Sequence, residues 1–203
     1  MRIQFQKSLR IAAVLALLGT AGAAQAHTGH GTSTLFEGLA HPFGPDHLLA
    51  MLAVGLWSVA SLPAGKVWRG PVTFMLSLVA GATLGLLGVT VPMLEQLIAL
   101  SVVLFGALLI ITPFKIATTA TSAGLWLVAG AAMLHGLAHG AEAPAGNFAA
   151  YAMGFLLTTA MLHAMGVVAA TGLRRYLARQ SNWLLAAIGT LTSGAGLVLV
   201  ASV

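Results

Sequence analysis

The sequence predicts an all-α integral membrane protein, a bundle of six transmembrane helices behind a cleavable N-terminal signal peptide. The 203 residues are 59% apolar and only 6% charged, with a mean hydropathy of +0.96, whereas about 25% of the residues of a soluble domain are charged. The apolar residues form six stretches near the roughly 20 residues that a bilayer requires. A short basic leader precedes them.

The first 26 residues have the pattern of a secretory signal peptide. "MRIQFQKSLR" is basic, "IAAVLALLGT" is apolar but too short to span, and "AQA" before His27 is a small-x-small cleavage site. We predict cleavage here, with an uncleaved first helix as the alternative. The mature chain, residues 27–203, would then carry six basic and four acidic residues and a net charge of about +2. Its N-terminus would lie outside the cytoplasm.

Glycine, proline and polar residues mark the ends of the six predicted spans. We place these spans at about 42–61, 72–90, 93–111, 121–141, 148–170 and 183–202. With the N-terminus outside, all mature basic residues fall in cytoplasmic connections, as the positive-inside rule requires. They are Lys66, Arg69, Lys115, Arg174, Arg175 and Arg179. Glu37, Glu95 and Glu142 fall outside the cytoplasm. Because the number of spans is even, both mature termini are predicted to be outside as well.

Composition also excludes several classes of protein. The chain has no cysteine, so disulfides, iron–sulfur clusters and thiolate metal sites are ruled out. The basic residues form no run that fits nucleic acid, and no nucleotide-binding motif is present. Nucleic acid and nucleotides are thus not predicted partners, whereas the lipid bilayer is one. The oligomeric state is left open between a monomer and a homo-oligomer.

The first candidate cluster is "HPFGPDH", which begins with His41. Its prolines, Pro42 and Pro45, prevent a regular helix, and irregular backbone at membrane depth is tolerated where it is buried or lines a cavity. Asp46 and His47 then open the helix as candidate ligands. One turn below His47, Met51 is an auxiliary candidate. The alternative role for Asp46 is that of a helix cap.

The second candidate cluster is "HGLAHGAE". His135 and His139 are spaced i and i+4, so both imidazoles share one helix face, and Glu142 continues that face if the helix persists past Gly140. Two imidazoles and a carboxylate suit a borderline divalent cation. The alternative is a histidine pair that binds backbone carbonyls at a helix end. Gly136 and Gly140 leave room for a neighbouring helix or a hydrated ion.

Three further histidines are weaker candidates. His163 lies about 22 Å into the fifth span at 1.5 Å per residue, where it is either a deeper relay for the ion or a bonded packing residue. His27 and His30 at the mature N-terminus are candidates for auxiliary metal capture, or belong to a flexible tail. We predict that Met161 and Met165, on another face of the fifth span, pack in the core.

Together "HPFGPDHLLAMLAVGLW", "HGLAHGAE" and "TTAMLHAMG" resemble the HupE/UreJ family of bacterial nickel permeases, and the likeness covers the whole chain. The resemblance implies an inner-membrane, multi-pass protein with periplasmic termini that imports Ni²⁺, or in some members Co²⁺, for hydrogenase or urease. It implies no enzymatic activity and no prosthetic group. By motif match, transport would require the histidines and acids of the first and fourth spans, namely Asp46, His47, His135, His139 and Glu142.

One departure from the family pattern concerns His41. The family has five residues between this histidine and the Asp-His pair, whereas "PFGP" supplies four. In a helix, one missing residue would turn His41 by about 100°. The two prolines instead predict a loop that absorbs the change, and an altered metal preference is a second consequence to test.

Two other functions remain alternatives to a permease. An intramembrane zinc hydrolase would use His135 and His139 with Asp46 or His47 as ligands and Glu142 as the base. However, "HGLAH" has glycine where the HExxH motif has its glutamate. A haem-binding subunit would use facing histidines but would not call for the adjacent acids.

Overall fold

The structure, a computed structural model, describes residues 35–112, 119–143 and 147–203. The predicted signal peptide, His27 and His30 lie outside these ranges. All regular secondary structure of the described residues is helical, which confirms the all-α prediction. The helices are α1 (Leu35–Ala40), α2 (Pro45–Ser61), α3 (Arg69–Leu86), α4 (Leu94–Ile111), α5 (Thr119–Ala141), α6 (Phe148–Tyr176) and α7 (Ser181–Ser202). Short 3-10 turns at His41–Phe43 and Ala64–Lys66 precede α2 and α3.

The long helices have the dimensions of a multi-pass membrane protein. Four helical segments of the described chain are long and apolar enough to cross a bilayer: Ala64–Leu86, Leu94–Ile111, Phe148–Tyr176 and Ser181–Ser202. A fifth span results if the bent pair Leu35–Phe43 and Pro45–Ser61 is counted as one crossing. The remaining long helix, α5, has 23 residues but is not among the candidate spans of the described residues. The prediction of six spans therefore goes one helix beyond these candidates.

Two helix ends differ from the predicted boundaries by four residues or more. The second predicted span runs to residue 90, but α3 ends at Leu86, and Gly88 follows with a φ of 83°. Glycine adopts this left-handed conformation without the steric cost that a Cβ brings. The fifth predicted span ends at residue 170, but α6 continues to Tyr176. Arg174 therefore extends from the helix end, where it donates a hydrogen bond to the carbonyl of Ala60 at 3.1 Å.

Helix α2 runs through the centre of the bundle. Ten of its 17 residues are buried, and it packs against α6, α4, α3 and α7. The outer helices instead present apolar side chains such as Leu76 and Leu191 at their exposed surfaces. A lipid-facing surface requires such side chains, because acyl chains are as apolar as leucine. In the first turn of α2, His47 is buried inside protein.

Glycines allow the helix pairs to approach closely. Helix α3 packs most extensively on α5, and α4 on α7. A Cβ at Gly81 or Gly85 would meet the backbone of α5 near Met133 and Leu137. These two glycines, four residues apart, thus serve helix packing, as small residues do in membranes. Gly136 and Gly140 in turn lie against α3, so a neighbouring helix fills the room that they leave.

The chain bends by 73° between Leu35–Phe43 and Pro45–Ser61. Gly44, with ψ near 141°, lies at the bend, and Pro45 starts the new helix, where its missing N–H costs nothing. Helix α1 rests on α6, and the Thr158 hydroxyl donates to the Leu39 carbonyl at 3.0 Å. A side chain of a neighbouring helix thus satisfies backbone that the bend leaves open, as non-helical segments at membrane depth require.

Candidate metal centre

The bend and the central helix bring the two histidine clusters together. His41 belongs to the 3-10 turn, Asp46 and His47 to the first turn of α2, and His135 and His139 to the last turns of α5. The α5 pair shares one face, as its i, i+4 spacing predicts. The tertiary packing turns this face towards the start of α2, so all five side chains meet.

Five side chains form two groups of three potential ligands. His41, His47 and His139 form the His41 triad, and Asp46, His47 and His135 form the Asp46 triad. Within each triad, one ligand atom per residue lies within 4.8 Å of the others. The Asp46 triad is the more deeply buried, because His135 is fully buried whereas His41 and His139 are partly exposed.

His47 belongs to both triads and presents a different ring nitrogen to each. Its Nδ1 lies 2.6 Å from Asp46 Oδ2, and its Nε2 is in hydrogen-bond contact with Nε2 of His139. Gly44 rather than Asp46 is the N-cap residue of α2. The carboxylate of Asp46 therefore pairs with an imidazole, although its charge also suits the first turn of a helix.

A hydroxyl group from a third helix holds His135. Ser101 of α4 donates to the carbonyl of Ile98 at 2.6 Å, and its Oγ lies 2.9 Å from Nε2 of His135. The other ring nitrogen, Nδ1, is buried and has no hydrogen-bond partner. Such an atom is costly to bury, and a bound cation would satisfy it.

Aromatic rings from α6 form one wall of the cluster. Phe155 lies 4.7 Å from the ring of His139 and 5.7 Å from that of His41, between ring centroids. Tyr151 lies 5.8 Å from His41 and stacks on Phe155. These rings cover the imidazoles and lower the local dielectric, which would strengthen the interaction of a cation with its ligands.

His163 is buried on α6 apart from both triads. Its Nδ1 donates to the carbonyl of Thr159 at 2.8 Å, while its Nε2 has no partner. Phe74 of α3 separates it from the cluster, since the Phe74 ring lies 4.7 Å from His163 and 6.0 Å from His135. His163 thus makes the backbone hydrogen bond expected of a packing residue, and its Nε2 also remains without a partner, as a relay for the ion would require.

The remaining predicted site residues lie outside the two triads. Helix α5 ends at Ala141, so Glu142 occupies an exposed turn instead of continuing the histidine face. Met51 is fully buried in the core. Met161 and Met165 are each 57% exposed, so the prediction that they pack in the core is wrong. The i, i+4 spacing correctly gave them a common face, but this face points away from the bundle.

Three residues at the centre escaped the sequence analysis: Ser101, Phe155 and Phe74. One signal was available for Ser101, because it is the sole hydroxyl-bearing or charged residue in the apolar stretch 97–111. The two phenylalanines gave no signal, since the same residue type fills cores and faces lipid.

Fold and site together define a multi-pass helical membrane protein with a buried cluster of imidazoles and one carboxylate, a ligand set suited to borderline divalent metal ions. The sequence profile described as HupE / UreJ protein matches residues 15–199. Protein HupE of Rhizobium leguminosarum bv. viciae is 42% identical over 166 residues, which cover 79% of this chain and 83% of that protein. No solved structure matches. The chain belongs to the HupE/UreJ family, whose members are transport and accessory proteins and not enzymes.

Proposed function

We propose that the protein is a six-span permease of the bacterial inner membrane that imports Ni²⁺, with Co²⁺ as the second candidate cargo. In this proposal the signal peptide is cleaved, both mature termini are periplasmic, and the imported metal serves hydrogenase or urease maturation. The observation that carries the proposal is the pair of triads, which share His47 inside an apolar bundle. Ionisable residues at membrane depth mark ion pathways, because each costs about 2.5–3.5 kcal/mol to insert.

The ligand chemistry favours Ni²⁺ or Co²⁺ over other cations. The two triads offer four imidazoles and one carboxylate, and the chain has no cysteine. Mg²⁺ and Ca²⁺ prefer sets made of oxygen alone, whereas Cu(I) prefers sulfur. Zn²⁺ accepts the same ligands, so family membership supplies the preference for nickel and cobalt.

The geometry supports passage of the ion in steps. The more exposed His41 triad receives the ion, and the Asp46 triad takes it deeper. A neutral imidazole has one lone pair, so His47 serves one triad at a time. It binds the ion through Nε2 with its hydrogen on Nδ1, or through Nδ1 with its hydrogen on Nε2, and the ring hydrogen changes nitrogen as the ion passes. The free Nε2 of His163 is the next acceptor, once Phe74 moves from between the two histidines.

Import needs no nucleotide in this proposal. A divalent cation that moves inward gains about 4.6 kcal/mol per 100 mV of membrane potential, twice the value for a single charge. The individual ligands must hold the ion only moderately, because a site that binds too tightly does not conduct. Sharing one imidazole between two positions meets this requirement, since neither position has a complete permanent ligand set.

The zinc hydrolase is the less favoured reading. A hydrolase needs a general base beside the metal-bound water, and Glu142, the predicted base, lies in an exposed turn outside both triads. Family membership points the same way, because HupE/UreJ proteins are not enzymes.

Metal accumulation in expressing cells tests the permease. Cells receive low, equal concentrations of Ni²⁺, Co²⁺ and Zn²⁺ and express either the wild-type chain or the double variant Asp46→Asn, His135→Gln. We expect wild-type cells to accumulate Ni²⁺ or Co²⁺ above background and the double variant to lose this uptake.

The control is Thr192→Val, which changes a buried polar residue of α7 outside the triads and is expected to transport normally. Equal amounts of the proteins in the membrane are verified in parallel. Wild-type cells that accumulate none of the three metals contradict the proposal. So do wild-type and double-variant cells with equal uptake.

A further inference from the structure

The hydroxyl of Ser101 contacts both a helix carbonyl and the ring of His135. Ser101 Oγ lies 2.6 Å from the carbonyl oxygen of Ile98. Two oxygen atoms approach this closely only with a hydrogen between them, and a carbonyl has none to give. The single hydroxyl hydrogen of Ser101 is therefore committed to Ile98.

The contact between Ser101 and His135 must then run in the opposite direction. Ser101 Oγ lies 2.9 Å from His135 Nε2, and with its hydrogen used it can only accept. His135 Nε2 must supply the hydrogen. In a neutral imidazole the other nitrogen then carries the lone pair, and Nδ1 of His135 is the buried atom without a partner.

We propose that Ser101 is a positioning residue that fixes His135 as the Nε2–H tautomer and thereby makes Nδ1 its metal-binding atom in the Asp46 triad. This inference rests on the proposed function for its consequence in transport, but not for the tautomer itself. Histidine ligands of metals generally donate their second N–H to such a partner, which fixes both the tautomer and the ring orientation.

The location of Ser101 explains why a single hydroxyl is sufficient. The residue is 4% exposed and His135 is fully buried, so water does not compete for the hydrogen bond. Helix α4 contributes no member of either triad. Without Ser101, the Nε2–H tautomer would bury an unpaired N–H, and the Nδ1–H tautomer would have no lone pair at Nδ1 for the ion.

Nitrogen NMR on the metal-free wild-type protein tests the tautomer directly. The full chain is labelled with ¹⁵N-histidine and placed in lipid nanodiscs, and the His135 resonances are identified by their absence in His135→Gln. We expect the hydrogen on Nε2 and none on Nδ1. A His135 ring with its hydrogen on Nδ1 overturns the proposal, whether or not the protein transports metal.

Equilibrium Ni²⁺ binding by the same preparations tests the consequence. We expect Ser101→Ala to weaken binding by about 10–100-fold, the usual effect of removing a hydrogen-bond partner of a metal ligand. Ser101→Thr keeps the hydroxyl and is expected to restore most of the affinity.

The matched control is Ser58→Ala. Ser58 is also fully buried in the bundle and donates to a helix carbonyl, that of Val54 at 2.7 Å, but it belongs to neither triad. We expect wild-type affinity for this variant. Unchanged affinity in Ser101→Ala, or an equal loss in Ser58→Ala, overturns the positioning role. A wild-type protein that binds neither Ni²⁺ nor Co²⁺ refutes the proposed function instead, while the NMR result still decides the tautomer.

Discussion

At the scale of single residues, His47 connects the two halves of the site. Its Nδ1 contacts the Asp46 carboxylate at 2.6 Å, and its Nε2 contacts His139. Because one neutral imidazole has one lone pair, the Asp46 triad and the His41 triad would be alternative positions for a single ion in the proposed permease.

This sharing predicts one Ni²⁺ ion per chain at the centre. The measurement is equilibrium dialysis of a His27→Ala, His30→Ala background, which removes any binding by the N-terminal histidines. In this background His47→Ala is expected to weaken binding by more than about 100-fold, because loss of a direct ligand should exceed the cost of losing an outer partner. Two ions per chain with similar affinity would show that the triads fill independently.

At the scale of helices, the α3–α5 contact holds the histidine face in register. Gly136 lies between the two α5 histidines in sequence, and a Cβ there would meet the backbone of α3 at Leu78 and Ala82. Backbone cannot move aside as the end of a flexible side chain can, so the helices would have to separate.

We therefore expect Gly136→Ala to lower the free energy of unfolding by about 1–3 kcal/mol, the usual cost of overpacking, and to weaken Ni²⁺ binding as well. Gly130, on the same helix, is the matched control, since a Cβ there would have no neighbour within 4 Å. Gly130→Ala should leave binding unchanged and raise stability by up to about 1 kcal/mol through helix propensity. Thermal unfolding in detergent compares the two variants, and equal stability would refute the close contact at Gly136.

The helix boundaries show how well the sequence predicted the individual helices. All six predicted spans overlap long helices, because apolar runs and Gly/Pro punctuation are local signals. The actual ends of α3 and α6 were missed. Gly88, a local signal, follows the end of α3, whereas α6 continues to Tyr176 and Arg174 on its last turn donates to the carbonyl of Ala60 on α2, a contact that the local sequence does not indicate. The short helix α1 before the 3-10 turn was not predicted at all.

At the scale of the whole molecule, the proposed orientation of the bundle rests on its charges. The proposed topology places Lys66 and Arg179 in the cytoplasm and Leu87 and Val203 in the periplasm, and all four side chains are exposed. Because the chain has no cysteine, single cysteines at these positions report their location without a background signal.

In intact cells a membrane-impermeant maleimide should label Leu87→Cys and Val203→Cys, whereas Lys66→Cys and Arg179→Cys should react only after permeabilisation. The physical reason is the positive-inside rule, which retains basic connections in the cytoplasm. The inverse labelling pattern would show that the orientation is opposite to the proposed one. Labelling of Val203→Cys only after permeabilisation would indicate an odd number of crossings.

The sequence by itself determined the class of protein, the long helices and the residue types of the site. These follow from composition, from apolar runs and from the high cost of ionisable groups in a membrane, all of which are local properties. It also indicated that the clusters of α2 and α5 would lie at similar depth, because depth follows from position along a span.

Only the tertiary structure decided which side chains meet. The rotation of each helix about its axis depends on close contacts such as those of Gly81 and Gly136, and local patterns do not encode these contacts across the bundle. Rotation and packing made His47 the shared residue of the triads, brought Ser101 to His135, and turned Met161 and Met165 outward. The end of α5 at Ala141 likewise left Glu142 outside the triads.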